Sequence, residues 1–152
     1  MRNLVLVGLG PHAKKIYYPL LEKYCLEFDI RIKLIIDLES QRELVEKFLE
    51  SQRLKPEKVL LVKTSPQNVL GKELDPEAEK ALNILAKSGE VDGILIVTEP
   101  KAHKIYIEWA AKHGVDILAD KPLTSPVGAC VDVEAARQVY VDYLDVMEIV
   151  KK

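Results

Sequence analysis

The feature that most limits how this chain can fold is an alternation of two hydrophobic periods. Short apolar runs rich in Val, Leu and Ile occupy residues 3–7, 32–36, 59–62, 93–97 and 117–119. Between them, apolar residues recur every three or four positions. An unbroken apolar run suits a strand buried on both faces, and the 3.6-residue period suits a helix packed along one side. Strands separated by helices pair in parallel, because a parallel pairing needs a crossover where an antiparallel one needs only a tight turn. The expected fold class is α/β, with a parallel sheet of about five strands and helices on both faces.

At 152 residues the chain suits a single domain, residues 1–152, with one core organisation. The formal net charge of -2 offers no basic excess for a phosphate backbone, so no nucleic-acid partner is expected. The longest apolar run, residues 4–10, is too short for a membrane span and leads into Pro11, His12 and two lysines, not into a cleavage site. Cys25 and Cys130 lie far apart without Cys-x-x-Cys spacing, so neither a metal site nor a disulfide is expected, and the chain reads as cytoplasmic.

Local signals place the elements. A first helix spans about residues 11–28, with Pro19 expected to kink or break it. Ser40 and Glu43 have capping-box spacing ahead of an apolar face made by Leu44, Val45, Phe48 and Leu49. The polar stretch 63–74 is expected to be the most mobile connection. Asp75-Pro76 reads as an N-cap followed by a first-turn proline, and Gly89 as the matching C-cap. A helix over about residues 100–113 ends at Gly114, and Asp132 caps a last helix running through Val150.

Four places can carry chemistry. Gly8-Leu9-Gly10-Pro11-His12-Ala13 forms a G-x-G-x-x-A pattern where the first strand meets the first helix, as in Rossmann-type dinucleotide domains. Gly8 permits the tight turn, Gly10 lets a pyrophosphate approach the backbone, and Ala13 permits close helix–strand contact. The phosphate would meet the helix N-terminus, with one donor fewer because of Pro11. Asp37, beside Leu38 at the end of the second strand, can accept hydrogen bonds from the adenosine ribose and would repel a 2′-phosphate. That favours NAD over NADP as cofactor. Arg42, just beyond, could soften the discrimination, but its expected place is a solvated helix face. The third and fourth places are Thr98-Glu99-Pro100-Lys101-Ala102-His103 and Asp120-Lys121-Pro122, both at carboxyl ends of strands, where open α/β sheets bind ligands.

These four stretches, in this order, resemble the N-terminal half of the glucose–fructose oxidoreductase/inositol dehydrogenase (Gfo/Idh/MocA) family. The resemblance implies that Thr98, Glu99 and His103 line the nicotinamide-ribose side, with Asp120 and Lys121 beside them. It implies that Lys121 is the catalytic lysine near the nicotinamide, polarising a substrate hydroxyl or assisting proton transfer. Glu99 and Pro100 replace the family's usual Pro and Asn, and Asp120 replaces its usual Glu. The family's α+β substrate domain has no counterpart in these 152 residues. The expected function is therefore the NAD(H)-binding domain of an oxidoreductase acting on a sugar, polyol or related hydroxyl-bearing small molecule. It is expected to be inactive without a substrate domain or partner chain. The alternatives are a stand-alone NAD(H) sensor or scaffold without catalysis and, from the same glycine turn, an adenosyl cofactor. On the last helix, Ala136, Val139, Tyr140, Tyr143, Val146, Met147 and Val150 predict one apolar stripe, with Asp142 and Asp145 elsewhere. Tyr143, Met147 and Val150 are expected to join two copies as a homodimer.

Overall fold

The computed structural model describes residues 1–65 and 72–151. Five strands, β1 (Arg2–Val7), β2 (Ile30–Leu38), β3 (Lys58–Val62), β4 (Gly93–Ile96) and β5 (Asp116–Ala119), form one parallel sheet. Its order is β3-β2-β1-β4-β5, so the chain winds outward from β1 in one direction and then restarts in the other. The order reverses between β1 and β4, so the loops leaving these two strands diverge at the carboxyl edge, the switch point where open α/β sheets bind ligands in a crevice.

The helices are α1 (Tyr18–Tyr24), α2 (Arg42–Ser51), α3 (Pro76–Ser88), α4 (His103–Lys112) and α5 (Val133–Val150). Strand side chains alternate between two cores. Val5, Val7, Leu34, Ile36, Ile94 and Ile96 face α3 and α4, with Val146 of α5 joining them. Leu6, Ile32, Ile35 and Leu95 face α1 and α2, against Ala13, Tyr18 and Val45. This two-sided burial explains why the strands read as unbroken apolar runs.

Local details differ instructively from expectation. The helix after the glycine turn begins as a π-helical turn, Ala13–Tyr17, and becomes α-helical at Tyr18. Pro19 follows directly on that π turn within one continuous helical run, residues 11–24, so the regular α ladder is interrupted just ahead of the proline, as its missing donor leads one to expect. Helix α1 stops at Tyr24, short of residue 28. Ser40 does not cap α2: it lies inside a 3-10 turn, Glu39–Gln41, and no side-chain cap bond forms. Leu44, placed by its spacing on the buried face of α2, is exposed. Asp75 does cap α3, accepting from the Glu77 and Ala78 amides, and Gly89 closes it in the left-handed region. Of the connection 63–74, residues 66–71 lie outside the described residues.

The apolar stripe of α5 is corrected. The inward residues are Asp142 and Val146, while Tyr140, Tyr143 and Val150 are exposed. Lys104 of α4 reaches both Asp142 (2.8 Å), which lies on the packed side, and the half-exposed Asp145 (2.7 Å). A partnered acid can occupy an interior position that an unpartnered one cannot. Among the described residues, no helix is long and apolar enough to cross a membrane, and no His/Cys/Asp/Glu cluster could hold a metal ion.

Candidate functional site

The crevice is built around the turn that leaves β1. Gly8 has φ +86, and its amide donates to the Ile36 carbonyl (2.8 Å). A Cβ at Gly8 would lie 2.7 Å from the Thr98 nitrogen and 2.9 Å from the Val97 carbonyl carbon. Both its conformation and its neighbour therefore demand glycine. Gly10 is different: a Cβ there would meet nothing within 4 Å. The space above Gly10 is open, as required if a phosphate is to approach the backbone. Ala13 is fully buried under the helix. Pro11 and His12 are exposed at the entrance, where the first helical turn leaves backbone donors without intrahelical acceptors.

Asp37 forms the rim of this turn. Its Oδ2 accepts from the Leu9 amide (2.7 Å) and its Oδ1 from the Leu38 amide (2.7 Å). The carboxylate is thus held by two backbone donors, with lone pairs left over for further hydrogen bonds. Leu38, partly exposed, places an apolar surface beside it.

On the other side of the crevice the loops after β4 and β5 are tied together by His103. Its ring is fully buried, with Nε2 2.9 Å from the Thr98 carbonyl and Nδ1 3.1 Å from the Pro122 carbonyl. The imidazole therefore lies behind the two loops, between the stretches that carry Thr98 and Pro122. Its place is that of a brace holding Thr98 and Pro122. Glu99 points outward and pairs with Lys101 at 2.6 Å. Lys121 is exposed, joined to Pro122 by a cis peptide bond.

Asp120 gathers a small cluster. Its Oδ1 accepts from the Lys121 amide (2.8 Å) and the Tyr17 hydroxyl (3.3 Å), and its Oδ2 lies 3.5 Å from His12 Nε2. Partial burial, followed by the charge and hydrogen bond of Asp120, raises the Tyr17 phenol above its ordinary value. His12 and Asp120 belong to the motifs at either end of the chain, and the fold brings them together. Tyr17 was not legible from the sequence, since its partner lies 103 positions away.

The site combines a glycine turn at a sheet switch point, an acid at the end of β2, and two loops that meet across β4 and β5. A family model described as an oxidoreductase family with an NAD-binding Rossmann fold (Gfo/Idh/MocA) matches residues 3–141. Solved structures share the architecture. An oxidoreductase from Thermotoga maritima superposes with a TM-score of 0.55 at 22% identity, covering 93% of this chain and 34% of its own. The WlbA (WbpB) dehydrogenase from Thermus thermophilus, in complex with NAD and UDP-GlcNAcA, gives 0.53 at 22% identity, covering 96% and 39%. The 3-ketoreductase KijD10 from Actinomadura kijaniata, in complex with NADP and TDP-benzene, gives 0.50 at 19% identity, covering 95% and 34%. At these identities the likeness establishes the fold, and the chain spans between a third and two fifths of the length of these three solved proteins. No curated relative matches the chain by sequence. With nine-tenths of its length inside the family model and a five-stranded parallel sheet of the Rossmann type, the chain belongs to the Gfo/Idh/MocA oxidoreductases, as their NAD-binding Rossmann domain.

Proposed function

We propose that the domain binds NAD(H) in preference to NADP(H) and serves as the cofactor half of a dehydrogenase or reductase acting on a sugar, polyol or related hydroxyl-bearing molecule. The observation that carries this reading is the coupling of the open Gly10 turn to Asp37 through the Leu9 amide. The turn admits a pyrophosphate, and the carboxylate fixed at its rim can accept from ribose hydroxyls but opposes a phosphate at the same place. Leu38 offers an apolar surface for the adenine. When bound, NAD(H) supplies or takes up the hydride.

The chain's own groups do the rest. Gly10 and the helix N-terminus receive the pyrophosphate, with His12 at the entrance. Thr98 and Asp120, held in place through His103 and the Lys121 amide, form the wall on the nicotinamide side. Lys121 donates to the substrate oxygen whose proton is gained or lost. The substrate itself would be held by residues beyond this domain, so the isolated chain is expected to bind cofactor and turn over little.

Calorimetric titration tests the reading. NADH should bind more tightly than NADPH. Gly10→Val should abolish binding in a chain that stays folded, because the side chain enters open space that the pyrophosphate needs. Asp37→Ala should narrow or reverse the preference. Equal affinity of the unaltered chain for both cofactors would remove the role given to Asp37. In an assembly that includes a substrate domain, Lys121→Ala should lower turnover by about 100-fold with little change in NADH affinity.

A further inference from the structure

Two cations lie in the segments that follow β2 and β3, Arg42 and Lys63, and the structure shows what occupies the first of them. Arg42, the first residue of α2, holds Glu39 in a two-bond fork: Nε donates to Oε1 (2.9 Å) and Nη2 to Oε2 (2.8 Å). Its remaining Nη1 donates to Glu46 (3.1 Å) one turn further on. Glu39 is the first residue after β2 and lies two positions beyond Asp37. Lys63 follows directly on β3, whose Val62 pairs with Leu38, so it flanks the same corner. Hydrogen bonding to Arg42, with lesser contributions from the charges of Arg42 and Lys63, holds the Glu39 carboxyl below the usual carboxylate range.

The fork between a guanidinium and a two-oxygen anion is the geometry by which arginine recognises phosphate. An arginine just past the second strand is also where a Rossmann domain accommodates a 2′-phosphate. We propose that Glu39 is an internal stand-in for that phosphate: it occupies the guanidinium of Arg42, with Glu46 on the remaining edge, and so closes the chain to NADP(H). This rests on the cofactor reading above and adds to it a second selectivity residue, one that need not touch the cofactor. Exposed ion pairs contribute little to stability. Here that matters little, because Glu39 is tethered to its partner through a three-residue turn and competes with a free ligand at high effective concentration. A 2′-phosphate would have to displace Glu39, meet Asp37 and find Arg42 already neutralised.

The test is a paired titration with NADH and NADPH on the unaltered chain, Glu39→Ala, and Glu39→Ala with Arg42→Gln, each checked for an unchanged circular dichroism spectrum. Glu39→Ala should tighten NADPH by about tenfold at low salt, the scale of one released charge-assisted fork. The gain should shrink at about 0.5 M salt, as a screened charge contact must. It should disappear when Arg42→Gln is added. If Glu39→Ala binds NADPH no better while the unaltered chain binds NADH, this inference falls and the cofactor reading stands. If the gain survives loss of Arg42, the role given to that fork is wrong. If the unaltered chain binds neither dinucleotide, the cofactor reading falls and takes this inference with it.

Discussion

The two sides of the crevice are held in shape by different means. On the β1–β2 side, backbone geometry does most of the work: the left-handed Gly8, its contact with Thr98, and the Asp37 carboxylate gripped by two amides. That side lies between strands covered on both faces. On the β4–β5 side, the loops are held by side chains that come from far along the sequence, His103 to Thr98 and Pro122, and Asp120 to Tyr17. Cover thins out there as well. Leu118, on the opposite face of edge strand β5 from Ile117, is 57% exposed. A surface fixed by backbone tolerates few substitutions at a handful of positions; one fixed by side chains tolerates more but can be loosened piecemeal.

The sharpest way to break this contrast is at the two glycines. Gly8→Val forces a β-branched residue into the left-handed region and drives its Cβ into the Thr98 backbone, which should cost about 4 kcal/mol or more. Urea unfolding should show it, together with loss of NADH binding. Gly10→Val should leave the unfolding midpoint nearly unchanged while binding is lost. If both variants unfold alike, backbone strain is not what distinguishes the two positions.

His103→Leu probes the other side. The variant keeps much of the volume but removes the ring that touches both carbonyls, together with the N–H that donates to one of them, at a cost of about 2 kcal/mol. The loss should be local in character: amide exchange should accelerate over residues 119–124 while that of Leu9 and Leu38 stays slow. Uniform acceleration across both sides would mean the brace supports the whole domain.

How far the sequence revealed these arrangements follows the same division. Asp75-Pro76 with Gly89, and Gly8 with Gly10, act within their own few residues, so spacing alone located them. His103 was readable as part of a motif but not as a buried brace, because its two partners are set by the meeting of two loops. The face of α5 was misread for a related reason. Spacing alone assigns Asp142 to water, yet Lys104, 38 positions earlier, brings it inside. The fork between Glu39 and Arg42 was available all along as a three-residue spacing of opposite charges.

A third test uses pH, and it belongs to the β1–β2 side. Tyr18 is fully buried, donates to the Leu54 carbonyl (2.5 Å), and has its phenol pushed up to about 12 by burial and, secondarily, by Glu22. A folded value above the unfolded value of 10.0 means the contribution is complete below pH 10 and is lost as pH rises from 10 toward 12. A two-unit shift corresponds to about 2 to 3 kcal/mol across that window. Tyr106 is raised too, chiefly by burial, and adds to the alkaline loss. Tyr18→Phe should flatten the fall in stability between pH 10 and 12 without removing it. An unchanged slope would mean that Tyr18 ionises without opening the α1–α2 core.

The smallest expected effect on stability is on the outer face of α5, and there the readout is association. Tyr140, Val141, Tyr143, Leu144 and Val150 are all exposed on one 18-residue helix, while Asp142 and Val146 anchor its other side. So much apolar surface on one element favours contact with another surface, and a two-fold pairing of copies is the simplest closed form. Tyr143→Asp removes no buried contact and should change stability by less than about 0.5 kcal/mol. Sedimentation should nevertheless show a concentration-dependent dimer of the unaltered chain that the variant weakens. Lys104→Met offers the counter-experiment, because it removes the cation from Asp142, leaving it only the Gln138 amide, and loosens α5 from α4. If α5 presents its outer face only while clamped, that change should weaken association even though Lys104 lies on the inner side. A dimer indifferent to both substitutions would sit elsewhere, and the exposed edge at Leu118 would be the next surface to alter.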